Sequence, residues 1–281
     1  MSRIALMLWL RFVLGLQISR AQIPTAEDSC QQHEFSEAIE DNSFYIEEAF
    51  NQEPGVVQQI SSLSYSPAST KDIAYSFTHE WPAGSQTHQL SATVLYSFLN
   101  GNTISGINDV LVNYRYQLFD AADWAAVAPR ISLVLPTGNK DKGLGNGVVG
   151  VQTNIAASKR LTELVIIHAN AGMTILPRVE VVTSAGQTTR RTLTVVNLGG
   201  SIILLASPKF NILTEGGANF LSDINNREVV HSTEIFVNPA IRFAIDIGDL
   251  QIVPGIGLPI FFADGTTRPG VFGYLSFEHP F

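Results

Sequence analysis

Val110-Leu111-Val112-Asn113-Tyr114-Arg115-Tyr116-Gln117-Leu118 carries apolar side chains at 110, 112, 114, 116 and 118, with Asn113, Arg115 and Gln117 between them. A period of two with one apolar and one polar, partly charged face is the pattern of a β-strand. It recurs at Ile73, Tyr75, Phe77 and Trp81 against Asp72, Ala74, Ser76, Thr78 and Glu80. Ile131, Leu133 and Leu135 alternate with Arg130 and Ser132, and Ile235, Val237, Ile241 and Phe243 with Glu234, Asn238 and Arg242. The predicted strands are residues 55–65, 72–81, 89–99, 108–118, 125–136, 148–157, 161–175, 192–205, 210–217, 232–245, 250–262 and 271–281. If the first runs outward, the outer connections are residues 66–71, 100–107, 137–147, 183–191, 218–231 and 263–270. These are mostly the longer ones. The opposite connections at 158–160, 206–209 and 246–249 are tight, and 82–88 is the exception.

Alternation alone does not distinguish a soluble sandwich, whose apolar face is a core, from a membrane barrel, whose apolar face meets lipid. Three features favour the barrel. Only 15% of the residues are charged although 45% are apolar. The strands are about ten residues long, enough to cross a bilayer at a tilt. Trp81, Tyr96, Phe98, Tyr116, Phe119 and Trp124 stand near strand ends, where interfacial aromatics belong. No apolar run reaches the roughly 18 residues of a spanning helix in the mature chain. The expected fold is an all-β, transmembrane, antiparallel up-and-down barrel of about twelve strands. It is preceded by a short N-terminal helical segment at Ser43–Phe50, with Phe44, Tyr45 and Phe50 on one face.

Residues 1–21 read as a signal peptide, with Arg3 ahead of an apolar stretch and Ser19-Arg20-Ala21 as a small-x-small site. Residues 22–54 form a periplasmic or plug segment, and residues 55–281 the barrel. Export to the outer membrane follows. Cys30 is the single cysteine, so no internal disulfide is possible. The net charge of −8 becomes more acidic when Arg3, Arg11 and Arg20 leave, which argues against nucleic acid as a partner. The expected partners are outer-membrane lipid, the barrel assembly machinery and a small-molecule solute.

The inward register collects Asp72, Glu80, Arg115, Arg130, His168, Glu215, Glu234, Arg242 and Glu278. They are candidates for paired lumen groups or for a selective constriction with a transverse field. Glu47, Glu48 and Glu53 could enter the near mouth as a plug whose acids meet lumen arginines. The last strand places Gly273, Leu275, Phe277, His279 and Phe281 on the lipid register. Phe277 and the terminal Phe281 resemble the C-terminal assembly signal of outer-membrane barrels, with His279 as a departure from it.

An enzyme is not expected. His168 lies in Ala-Asn-Ala-Gly surroundings and Ser201 lacks the Gly-x-Ser-x-Gly elbow. His79 and His88 have no metal-ligand spacing, so neither metal nor cofactor is predicted. Gly143-Leu144-Gly145-Asn146-Gly147 reads as a mobile external loop, since no helix pattern follows it to make a phosphate cradle.

The run Asn42-Ser43-Phe44-Tyr45-Ile46-Glu47-Glu48-Ala49-Phe50-Asn51-Gln52-Glu53-Pro54-Gly55-Val56-Val57-Gln58 resembles the start of outer-membrane transporters of the phenol-degradation meta-pathway family. Asn108-Asp109 with Asn113-Tyr114-Arg115-Tyr116, Pro129-Arg130 with Leu135-Pro136-Thr137-Gly138, His168-Ala169-Asn170-Ala171-Gly172 and Tyr274-Leu275-Ser276-Phe277-Glu278-His279-Pro280-Phe281 fit the same resemblance. It implies a barrel that passes small solutes, including aromatic or hydrophobic compounds, and carries over no catalytic residue. The alternative is a closed barrel that acts through its external loops.

Overall fold

The computed structural model describes Ile39 and residues 43–67, 71–120, 123–182, 187–225 and 228–281. The predicted signal peptide and Cys30 lie outside the described residues. The strands are β1 (Val56–Ser66), β2 (Asp72–Pro82), β3 (His88–Leu99), β4 (Ile104–Ile107), β5 (Val110–Tyr116), β6 (Ala126–Leu135), β7 (Gly150–Thr162), β8 (Val165–Val182), β9 (Thr188–Ser207), β10 (Phe210–Asn225), β11 (Glu228–Phe243), β12 (Ile245–Ile247), β13 (Leu250–Gly257), β14 (Ile260–Ala263), β15 (Thr266–Pro269) and β16 (Val271–Pro280). Brief irregularities divide four long strands, β4–β5, β11–β12, β13–β14 and β15–β16. The sixteen segments therefore make twelve antiparallel staves. β16 pairs with β1 from Tyr65↔Val271 to Val56↔Pro280, which closes the barrel.

The polarity of the two faces is inverted relative to a soluble protein. Along β3 the buried side chains are Gln89, Ser91, Thr93, Leu95, Ser97 and Leu99, while Leu90, Val94, Tyr96 and Phe98 lie on the outer face. Along β2, Asp72, Ser76, Thr78 and Glu80 are buried, whereas Tyr75 and Phe77 are exposed. Leu63, Val112, Ile131, Leu133, Ile155, Leu198, Ile202, Ile235, Val237 and Phe243 continue that exposed apolar surface. Burying polar groups and exposing large apolar ones is stable only where the outside is hydrocarbon. At the end where Phe281 lies, Trp124 is 84% exposed and Lys159 lies 3.9 Å over its ring. That is the amphipathic arrangement of a membrane interface.

Three predicted outer loops are strand over much of their described length. β8 and β9 run on to Val182 and Thr188, β10 and β11 to Asn225 and Glu228, and β14 and β15 join through Asp264-Gly265. Asp264 and Gly265 both have positive φ, as a two-residue hairpin turn requires. The extensions were read as loops because they stand beyond the lipid. There the outer face carries Glu180 and Arg190 rather than an apolar repeat, while the backbone still pairs, as at Glu180↔Arg190. One side of the barrel thus rises above the other.

The 136–149 connection is not the mobile loop expected of it. Leu144 is 2% exposed, and the buried Asp109 carboxylate accepts from Gly138 N (3.0 Å), Asn146 N (2.8 Å) and Asn146 Nδ2 (3.2 Å). Asn139 caps a 3₁₀ turn at Lys140–Lys142. Lys140 Nζ reaches Glu180 at 2.8 Å, and that pair raises the Lys140 pKa. Glycines 138 and 145 permit the close approach that folds the loop onto itself, since a Cβ at either would overlap the other's neighbourhood. Charge-assisted hydrogen bonds contribute about 1.5–3 kcal/mol each. Asp109→Ala is therefore expected to raise trypsin cleavage after Lys140 or Lys142 roughly tenfold or more, with heat-modifiable barrel migration on gels unchanged; unchanged cleavage would show that Leu144 alone seats the loop.

Candidate functional site

The segment ahead of β1 crosses the inside of the barrel as irregular chain, bent at Phe44–Ile46 and at Ala49, without the helix predicted for Ser43–Phe50. The reason lies in where its backbone amides go. Tyr45 N and Ile46 N both donate to Glu215 Oε1, at 2.7 and 3.0 Å. Glu47 N donates to Asn170 Oδ1 (2.7 Å), Ala49 N to Ser158 Oγ (2.8 Å), Asn51 N to Gln117 Oε1 (2.9 Å) and Gln52 N to Gln89 Oε1 (2.6 Å). A helix would have consumed these donors internally and left the wall acceptors without partners. Wall donors close the other half of the account. Asn170 Nδ2 donates to Glu47 O, Gln117 Nε2 to Ala49 O, Asn211 Nδ2 to Ile39 O, and Arg115 to the carbonyls of Glu48 and Phe50. The segment enters beside Asn211 and Arg242 and leaves beside Gln89.

Charge fixes its centre. Arg130 holds Glu47 through two bonds, Nη2 to Oε1 at 2.6 Å and Nε to Oε2 at 3.1 Å, with both side chains buried. The same guanidinium donates to Gln152 Oε1 and Asn113 Oδ1 and contacts Ser132. Arg115 Nε donates to Asn51 Oδ1 at 2.9 Å, and Glu80, Glu47 and Glu48 are its acidic neighbours. Ser43 Oγ donates to Ser201 Oγ at 2.6 Å. The buried His168 shares a 2.7 Å hydrogen bond between its Nδ1 and Ser158 Oγ. That Ser158–His168 pair lies beneath the segment and serves as its anchor, since the same Ser158 oxygen receives Ala49 N.

Of the predicted lumen residues, Glu80, Arg115, Arg130, His168, Glu215 and Arg242 are buried in this network or directly beside it. Glu278 is half-buried in the row it shares with Gln58 and Gln251. Asp72 stands apart: it accepts Asn100 N at 2.7 Å and pins an outer turn. Glu234 pairs with Arg268 on β15 and also acts electrostatically on Tyr45 of the crossing segment. Glu48 is fully buried, whereas Glu53 is half-buried at the near mouth, where its carbonyl accepts Val56 N. Phe277 lies on the outer face and Phe281 is 76% exposed.

Two sets of residues escaped the sequence reading. One is the uncharged wall amides and hydroxyls Gln89, Gln117, Ser158 and Asn170, which share the inward register of the charged candidates. The other is aromatic. Phe44 stacks on Phe272 and Tyr274 with centroids 5.5 and 5.0 Å away, and lies across Gly255. Tyr45 packs against Phe236, Phe261 and Phe272. Ile46 sits on Gly199, where a side chain on the wall would collide with it. Phe44 and Tyr45 thus share the Phe272 ring between them, and Phe50 packs on Ala49, Ala126, Ala128 and Ala156.

No family model matches the sequence, and no curated protein matches it. Solved structures do. An outer membrane channel from Pseudomonas putida F1 is similar over 83% of this chain and 98% of its own, at 13% identity and a TM-score of 0.57. NanC porin is similar over 78% of this chain and 98% of its own, at 15% identity and a TM-score of 0.51. The chain has the fold of outer-membrane channels and porins.

Two substitutions separate the forces on the segment. Arg130→Ala leaves the Glu47 carboxylate buried opposite a lost partner, at a cost of about 3 kcal/mol or more. Gly199→Leu pushes Ile46 out without touching a charge. Both are expected to speed cleavage by a glutamate-specific protease after Glu47 or Glu48 at least tenfold over wild type; protection unchanged in both variants would show that neither contact holds the segment.

Proposed function

We propose that this protein is a gated outer-membrane channel for small solutes, in which residues 43–52 are the plug. One observation carries the reading. Much of the lumen wall is polar, and what fills it is a chain segment held along its length by hydrogen bonds that water can replace, with an apolar cluster around Phe44, Tyr45 and Ile46 at one end. Removing the segment would leave an aqueous path through the row that includes Arg115, Arg130, Glu80 and Gln89. Arg115 and Arg130 on one side, with Glu80 and Glu215 on others, would impose a transverse field on a passing solute.

The finer assignment, to the outer-membrane transporters of the phenol-degradation meta-pathway, rests on the sequence resemblance at residues 42–58 and 274–281. It brings aromatic or hydrophobic compounds as the solute class. Phe277 and Phe281 are taken as the signal for the barrel assembly machinery, supported by their outward and exposed positions. A second reading, in which the closed barrel acts through its outer surface, is favoured by the raised hairpins β8–β9 and β10–β11. Conductance separates the two. The refolded mature protein, starting at Gln22, is expected to show low or intermittent current in planar bilayers, and the protein lacking residues 22–52 steady current. Silence in both, with heat-modifiable folding verified, would assign the function to the raised hairpins.

A further inference from the structure

The aromatic recess around Tyr45 has a composition that closing the lumen does not require. Closure is accomplished by the backbone bonds and by the Arg130–Glu47 pair. Yet the wall spends three of its largest buried inward side chains on one ring of the plug. Phe272, on β16, approaches the Tyr45 ring to 4.6 Å between centroids at 52°. Phe236, on β11, meets it edge-on at 5.3 Å and 64°, and Phe261, on β14, at 6.2 Å and 82°. Phe236 and Phe261 are themselves 6.1 Å apart, a wall contact that buttresses one side of the recess, while Phe272 on the other side also stacks on Phe44. Gly217 gives Phe236 its place, because a Cβ there would collide with the ring. Edge-on and tilted packing around one ring is the arrangement the aromatic quadrupole prefers.

The polar end of the recess is equally specific. The Tyr45 hydroxyl lies beside Ser64, on β1, whose buried hydroxyl has no other partner among the described residues. Glu215 and Glu234 are charged groups that act on the Tyr45 phenol, and Glu234 already holds Arg268 as its partner. An aromatic carboxylate would be brought toward these acids, so the recess suits a neutral hydroxylated ring better.

Resting on the channel reading above, we infer that the wall recess formed by Phe236, Phe261, Phe272 and Ser64 is a binding site for a single-ring, uncharged phenol, and that Tyr45 occupies it as a tethered mimic in the closed state. A phenolic solute and the plug then compete for one site. Occupancy by solute removes the largest side-chain contact of the plug's first half, so solute binding and plug release become one equilibrium.

The test vacates the recess in the full-length chain. Tyr45→Ala removes the ring while leaving the backbone bonds to Glu215, and Tyr45→Val does so with less loss of packing should the alanine variant fold poorly. Cavities made in this way take up ligands of the removed shape. Binding of p-cresol, toluene and 4-methylcyclohexanol to each variant in amphipol is measured by calorimetry, with wild type as the filled control. Saturable binding of p-cresol is expected, at least tenfold tighter than 4-methylcyclohexanol and severalfold tighter than toluene. The preference over toluene should vanish when Ser64→Ala is added. Equal affinity for the saturated ring, or no saturable binding by folded variants, overturns the site. Because binding is read without current, a conducting deletion protein combined with failure here would sink the recess and leave the channel standing; p-cresol binding to a protein silent in bilayers would uphold the recess and remove the channel.

Discussion

Within hydrocarbon no backbone amide can turn to water, so a sheet that crosses a bilayer has to pair its first strand with its last. The β1–β16 register from Val56↔Pro280 to Tyr65↔Val271 meets that condition, and the rest of the molecule follows from it. Closure makes an inside and an outside out of the two faces of each strand. The outside is then held to apolar side chains, and the polar alternates, including Glu80, Arg115, Arg130, Glu215 and Arg242, have nowhere to go but inward. What would be errors of burial in a soluble protein are here the lining of a lumen.

That lining sets the second constraint. Arginines and acids enclosed by a low-dielectric wall must find partners or water. Twelve staves enclose a space between that of barrels filled by their own side chains and that of wide porins. Wall side chains alone do not complete the account here: Arg130 reaches Glu47, Arg115 reaches Asn51, and Glu215 receives two amides, all supplied by the segment ahead of β1. The plug is thus an electrostatic complement to the wall as well as an obstruction. Its position relative to Arg130 is fixed by a bidentate contact, and relative to β9 and β13 by the absence of side chains at Gly199 and Gly255.

The strands were legible because lipid enforces the two-residue period with little tolerance. Every predicted span overlaps an observed stave, and Asp72, Glu80, Arg115, Arg130, His168, Glu215, Glu234 and Arg242 are buried on the polar side of their strands. The same dependence explains the failures. Where β8, β9, β10 and β11 rise out of the membrane, no apolar face is needed, and strands written in Thr, Arg, Glu and Ser looked like loops. Asp72 has the register of a lumen residue, but the turn amide of Asn100 that it caps comes from another strand and leaves no mark in local sequence. The plug showed its acids and hid its conformation. Phe44, Tyr45 and Phe50 fit one face of a helix, and nothing local in Ser43–Gln52 says that the wall will take its amides one by one.

The non-helical form of the plug bears on whether it can leave. A helical plug would carry its own hydrogen bonds, and its hold on the wall would come from side-chain packing that water cannot replace. This plug holds the wall largely through exchangeable bonds. When it withdraws, Gln89, Gln117, Ser158, Asn170 and Glu215 lose amide partners but gain water, and the net cost per bond is the modest difference between the two. The terms that water cannot replace are the rings of Phe44 and Tyr45 against Phe272 and its neighbours, the seating of Ile46 on Gly199 and the packing of Phe50 on the wall alanines. The barrier to opening therefore resides in a few apolar contacts, most of them at Phe44–Ile46, whereas position is set by many polar ones along the segment. A structure built in this way can be specific in its closed state without being locked, provided something of suitable shape takes the place of the rings.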